Sequence, residues 1–247
     1  MVQTTSAVFE PRNDKITAIA DIARILDIIP AIFIVGATAA IDPPDLATAT
    51  PGTEITFPVP AGTEPGDQAW VVMSDSSNGF PTPPAGFELV NFAISQSSTL
   101  YRNTNIPDPV PISYTWTVDV PGRARSGVMV VVRGAEKDAG VVSVETSTIA
   151  SNISLTIPTF DTPAGAALLM LSTSLGMQTR DMEPAGFGDL VKLVEHGATE
   201  AISYGQTRNA MATIEEKIPS PFPGGRTILF DGSSDQVLFG VFLIVDK

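Results

Sequence analysis

Pro84-Ala85-Gly86-Phe87 and Pro184-Ala185-Gly186-Phe187 stand one hundred positions apart, and the chain repeats around them as well. Ile55-Thr56-Phe57-Pro58 has its counterpart in Leu155-Thr156-Ile157-Pro158, again one hundred positions later. Between these anchors Trp70-Val71-Val72-Met73-Ser74 corresponds to Leu168-Leu169-Met170-Leu171-Ser172. Beyond them Leu89-Val90 answers to Leu190-Val191, and the stretch 98–104 to 202–209. Each unit closes on an apolar run, SGVMVVVRG at 126–134 and FGVFLIVDK at 239–247. Ordered anchors at nearly constant spacing are the mark of an internal duplication.

Inside each unit, runs of four to nine residues rich in Val, Ile, Leu, Phe, Thr and Tyr alternate with clusters of Pro, Gly, Asn and Asp. That alternation reads as short strands joined by turns. Strands are expected near 53–59, 68–75, 87–94, 97–103, 112–118 and 126–133 in the first unit. In the second they fall near 153–158, 166–173, 189–195, 199–207, 210–217, 226–230 and 237–245, with 141–148 between the units. Helical periodicity is absent beyond about residue 46. The expected fold is mainly β: an antiparallel β-sandwich of jelly-roll-like or immunoglobulin-like type, internally duplicated, with a short N-terminal α-helical attachment segment. The domain reading is an attachment segment at 1–45, a first repeat at 46–140 and a second at 141–247. The repeated PAGF reads as a turn: Pro84 and Pro184 preset φ, Gly86 and Gly186 allow a positive φ, and Phe87 and Phe187 lead into the next strand toward the core.

The 247 residues include no cysteine and one histidine. A disulfide framework, an Fe–S cluster, a Cys zinc site and a cysteine nucleophile are excluded on composition. A chain of this size can bury roughly 70% of its extended surface, enough for a substantial core. With 14 Lys+Arg against 27 Asp+Glu, the formal charge is −13. The few cations are scattered, so no phosphate-tracking groove is expected and nucleic acid is not an expected partner.

Residues 1–12 read as an irregular arm. Asn13 or Asp14 is placed to cap a helix running to Ile29, where Pro30 ends it. Asp14, Thr17, Asp21, Arg24 and Asp27 recur at helical steps on one face, and Ile16, Ile19, Ile22, Leu26 and Ile29 lie among the apolar positions. These five, with Phe33 in the apolar, β-branched run that follows, are the candidate partner-attachment residues. The uncharged run 28–41 is shorter than the roughly 20 residues that a membrane-spanning helix requires, so no span is expected. Glu10, Arg12, Asp14 and Lys15 do not form a cationic leader, and no cleaved secretion signal is expected.

Nothing in the sequence assembles a catalytic constellation. His196 has no nucleophile elbow to serve and reads as a loop histidine. Asp231-Gly232-Ser233-Ser234-Asp235 reads as a hairpin turn, and neither it nor Asp42 with Asp45 has calcium-loop spacing. The Pro-Gly-Gly of 223–225 is followed by no Lys-Ser/Thr and no helix, so it is not a phosphate cradle. Trp70, Trp116, Tyr101 and Tyr114 read as core residues; exposed, they would offer a sugar platform. No catalytic residue, cofactor or metal ligand is expected.

VPAG at 59–62, PGDQAWVVMS at 65–74, TPPAGFELV at 82–90, LYRN at 100–103, SYTWTVD at 113–119 and GVMVVVRGAE at 127–136 together resemble a β-sandwich module of tailed-bacteriophage virion proteins and some large bacterial surface proteins. In that module a PAGxxxGD strand start, a PPAGW turn, a YTWT strand and a YRG strand end follow in this order. The likeness covers about residues 50–247. Phe87 stands where the family often has Trp, and Arg133-Gly134 lacks the preceding aromatic. What the resemblance implies is a non-enzymatic virion part displayed on the particle surface after assembly in the host cytoplasm. It implies a head decoration or spike protein, or alternatively a tail-associated one, with capsid or tail structural proteins and further copies of itself as partners. A carbohydrate-binding adhesin that recognises a host-surface glycan is the alternative from another class. The family supplies no active-site residues.

Overall fold

A computed structural model describes residues 32–42, 53–75, 80–93, 98–118, 125–135, 140–146, 153–163, 165–176, 182–186, 191–197, 207–215, 218–230 and 235–244. The N-terminal helix expected over 13–29, with Ile16, Ile19, Ile22, Leu26 and Ile29, lies outside them. Among the described residues the protein is all β, with antiparallel pairing throughout. The strands of the first half are β1 (Phe33–Asp42), β2 (Glu54–Pro58), β3 (Gln68–Asp75), β4 (Glu88–Ala93), β5 (Ser98–Asn103), β6 (Ser113–Thr117) and β7 (Arg125–Arg133). Those of the second are β8 (Gly140–Thr146), β9 (Ile153–Ile157), β10 (Ala167–Gly176), β11 (Met182–Gly186), β12 (Val191–Gly197), β13 (Thr207–Glu215), β14 (Arg226–Phe230) and β15 (Asp235–Leu243).

Two five-stranded sheets dominate, in the orders β1-β7-β3-β5-β4 and β12-β13-β10-β15-β8. Their facing sides share one core, in which Trp70, Val72, Leu100, Val128, Val130 and Val132 meet Leu169, Leu171, Ala212, Ile214, Phe239 and Val241. The other side of the first sheet packs on the two-stranded sheet β2-β6 through Ile55, Phe57, Val71, Tyr101, Trp116 and Met129. The other side of the second packs on the three-stranded sheet β11-β14-β9 through Ile157, Leu168, Met170, Phe222, Ile228 and Phe242. β3, β7, β10 and β15 are therefore covered on both faces. This explains why their sequences are continuous apolar runs, whereas the outer strand β2 alternates between exposed and buried positions.

The contact of β7 with the outer two-stranded sheet is close enough to dictate its residue. A Cβ on Gly127 would stand 2.6 Å from Phe57 Cζ and 2.7 Å from the Val72 carbonyl oxygen. Gly240 holds the like place on β15, where a Cβ would meet Ile157 Cδ1 at 2.8 Å.

Three outer strands of the large sheets carry irregularities in their pairing: β1 between Ile34 and Gly36, β4 between Leu89 and Asn91, and β12 between Lys192 and Val194. At each of these sites the pairing skips one residue, a bulge that bends the strand.

The two PAGF stretches do not behave alike. The first is a turn, in which the Phe87 N–H donates to the Pro84 carbonyl at 3.2 Å, Gly86 has φ +91°, and Phe87 is buried against Tyr114 and Trp116. The second is corrected: Pro184, Ala185 and Gly186 run along β11 and pair with Ile228, Thr227 and Arg226, while Phe187 lies outside the described residues. β11 is an outer strand, where a proline lacking its N–H does not interrupt a second ladder. In the first half a single bridge, Thr82 to Thr117, occupies that side of β6. The break expected between 207 and 210 is also absent, because β13 pairs without interruption along β10 from Thr207 to Glu215.

Candidate functional site

The loop from Pro60 to Asp67 joins β2 to β3 and contains the PAG and PGD of the resembling motif. Asp67 is buried, and its carboxylate accepts from Arg133 twice, Nε to Oδ1 at 2.7 Å and Nη2 to Oδ2 at 2.9 Å. Arg133 Nη2 also donates to the Gly62 carbonyl at 3.0 Å, and Nη1 lies 3.2 Å from Glu64 Oε2. The Glu64 N–H donates to Asp67 Oδ2 at 2.8 Å. The bonds to Asp67 hold the Arg133 guanidinium above the usual arginine range, so it stays charged at any pH the fold meets. This network fastens a loop to a strand end.

A second clamp serves the second half. Arg226 donates through Nε and Nη2 to Glu215 Oε2 and Oε1, both at 2.5 Å, with both side chains nearly fully buried. Arg226 Nη1 reaches the Gly224 carbonyl at 3.2 Å, and the guanidinium lies 5.1 Å from the Phe222 ring centre. The hydrogen bonds to Glu215 raise its pKa. The cation beside the glycine pair 224–225 is thus spent on a buried carboxylate and is not turned outward to an anion.

Trp70, Trp116, Tyr101 and Tyr114 all lie in the interior, as expected for core residues. Trp116 makes edge contacts with Phe57, Phe87 and Tyr101 at 5.2, 4.8 and 5.8 Å. The Tyr101 hydroxyl donates to the Pro81 carbonyl at 2.5 Å. Burial raises the Tyr114 pKa. None of these four offers a face to a sugar.

The exposed large apolar residues lie elsewhere. Phe33, the candidate attachment residue within the described chain, is 59% exposed at the start of β1. Phe80, Leu89 and Phe92 are exposed on or beside β4, and the rings of Phe80 and Phe92 meet edge to face with centres 4.8 Å apart. At the start of β4, Glu88 Oε1 pairs with Arg102 Nη2 at 2.6 Å. The two-stranded sheet is narrower than the five-stranded sheet beneath it, and these side chains lie at the flank. Contact with another macromolecule is what such a patch can do. Sequence reading missed it, although one signal was present: Leu89-Val90-Asn91-Phe92 breaks the two-residue alternation where β4 bulges.

His196 lies on β12 opposite Ala210. Asp42 ends β1 and Asp235 begins β15, while Asp45 and 231–234 lie outside the described residues. Among the described residues no three His, Asp or Glu side chains converge on a point that could hold a metal ion. Comparison with known protein families, curated proteins and solved structures gave no match.

Proposed function

We propose that the chain is a non-enzymatic structural component of a tailed-phage virion, a head decoration or spike protein displayed on the capsid. In this reading it is an internally duplicated β-sandwich of jelly-roll-like type. The order β1-β7-β3-β5-β4 supports the duplication, because the residue correspondence read from the sequence carries β7, β3 and β4 onto β15, β10 and β12, which hold the same places in the order β8-β15-β10-β13-β12 of the second large sheet. β4 and β12, the corresponding outer strands, are both bulged, which supports it too.

The observation that carries the virion reading is the set of six stretches resembling the phage module, together with what their residues do here. PAG and PGD form the loop that Arg133 clamps, PPAGF forms a turn with a buried aromatic, and YTWT supplies Trp116 and Tyr114 to the core. Each has an architectural task, as a rigid displayed part requires. An acidic surface keeps such a part dispersed, and the N-terminal segment 1–45 provides the attachment.

Mass spectrometry and immunogold labelling of purified particles from the source culture test this. Label on heads is the expected result, label on tails selects the tail-associated alternative, and absence from purified particles rejects the proposal.

A further inference from the structure

The two PAGF stretches part ways at one residue, and the register of the outer sheets identifies it. Thr56 and Thr115 lie opposite each other on β2 and β6 with their hydroxyls 2.8 Å apart, and Thr156 and Thr227 do the same on β9 and β14. Thr115 and Thr227 therefore hold like places, and so do Thr117 and Leu229. On its other side β14 pairs Leu229, Ile228 and Thr227 with Glu183, Pro184 and Ala185. On its other side β6 pairs Thr117 with Thr82. Counted on from Thr82, Pro83 falls where Pro184 stands and Pro84 where Ala185 stands.

In an antiparallel ladder only alternate residues turn their N–H and C=O groups toward a given neighbour. Thr82 and Thr117 exchange both bonds: the Thr82 N–H donates to the Thr117 carbonyl at 2.7 Å, and the Thr117 N–H returns one at 3.1 Å. The next bonding position along the segment is 84, opposite Thr115. Pro84 has no N–H to give there, and the segment turns away, with the Phe87 N–H donating to the Pro84 carbonyl at 3.2 Å. Pro184 falls between bonding positions, so β11 runs past it and pairs Ala185 with Thr227. Chain length does not set the difference. By register Phe92 on β4 and Lys192 on β12 hold like places, and the first half has one residue more between Ala85 and Phe92 than the second has between Gly186 and Lys192.

The consequence lies on β4. In the second half β11 lies against β12. In the first, among the described residues, no strand continues along β6 past Thr82. Leu89 and Phe92 stand opposite Tyr101 and Thr99, on the sheet face that also carries the Tyr101 ring into the core beneath β2-β6, and both are exposed.

We propose that Pro84 is a built-in strand stop that holds an apolar surface open. Residues 81–85 are a third strand of the outer sheet in all but this one residue, and laid along β6 they would lie over Leu89 and Phe92 as β11 lies against β12. The inference rests on register and is independent of the virion reading.

Pro84→Ala gives position 84 the N–H that Ala185 has. In the full chain it is expected to slow hydrogen exchange of the Thr115 amide about tenfold, because that amide faces the position-84 carbonyl in the extended strand. The chain has no cysteine, so Phe92→Cys supplies a single thiol on the surface in question. Pro84→Ala is expected to slow labelling of that thiol about tenfold as well. Ala185→Pro is the converse, and is expected to speed exchange of the Thr227 amide while leaving that of Thr115 unchanged. Exchange at Thr115 as fast in Pro84→Ala as in the parent overturns the stop, and so does exchange at Thr227 unmoved by Ala185→Pro. A protected Thr115 with labelling at position 92 undiminished overturns the covering of β4.

Discussion

Ser98 Oγ and Thr173 Oγ1, 75 residues apart in the chain, stand 2.7 Å from each other between the two five-stranded sheets. Both side chains are buried, in a layer built mainly of valine, leucine, alanine, isoleucine and aromatic groups. Ser98→Ala removes the partner of the Thr173 hydroxyl, with an expected loss of about 1–3 kcal/mol in urea unfolding. Ser98→Ala with Thr173→Val removes both hydroxyls and is expected to recover part of that loss. A double variant as unstable as the sum of the two single ones would show that the pair does not act as a unit.

The Arg133–Asp67 clamp requires a fork and not merely a cation. Lysine cannot reach both Asp67 oxygens and the Gly62 carbonyl at once, so Arg133→Lys is expected to loosen residues 60–67 and lose about 1 kcal/mol. Limited proteolysis at this loop, with thermal unfolding alongside, checks it. Asp67→Ala is expected to lose more, about 1–3 kcal/mol, because the Glu64 N–H loses its acceptor as well.

Arg226 and Glu215 form a buried pair, and removing one partner strands the other charge. Glu215→Leu alone is expected to destabilise by about 3–5 kcal/mol, whereas Glu215→Leu with Arg226→Met is expected to be far milder. Equal losses in the single and double variants, measured by denaturant unfolding, would reject this account.

Gly127 and Gly240 hold like places but differ in what crowds them. An alanine methyl at 127 meets the Val72 backbone, which cannot yield, whereas at 240 it meets the flexible end of Ile157. Gly127→Ala is expected to lose about 3 kcal/mol and Gly240→Ala about 1 kcal/mol, read as a difference in denaturation midpoint.

The Tyr114 hydroxyl is buried and has no hydrogen-bond partner among the described residues, while its ring packs edge to face on Phe87 at 4.9 Å. Because the folded-state pKa is raised, the protein's preference for the neutral phenol contributes fully below the unfolded value near pH 10 and is lost as pH rises through the folded one. Tyr114→Phe keeps the ring. It is expected to match or exceed the parent at pH 7 and to show a shallower decline in stability above pH 10. An alkaline decline as steep as the parent's would assign that titration to other groups.

The central strands were legible in the sequence because burial on both faces writes itself as a continuous apolar run, as in Trp70-Val71-Val72-Met73 and Leu168-Leu169-Met170-Leu171. The second PAGF was misread because its tetrapeptide chemistry favours a turn in isolation, and only pairing with β14 holds it extended. The clamps were illegible for another reason. Asp67 and Arg133 are 66 residues apart, and no local pattern announces which acid meets which base. Phe92 reads like any strand aromatic, since its exposure depends on how far the narrower outer sheet reaches.

The middle layer takes side chains from both halves of the chain, and this bears on resistance to proteolysis. Neither half can open without uncovering the apolar face of the other, so the two are expected to melt in a single cooperative transition. A protease then finds no half-open intermediate to cut, and the working lifetime follows the rate of complete unfolding.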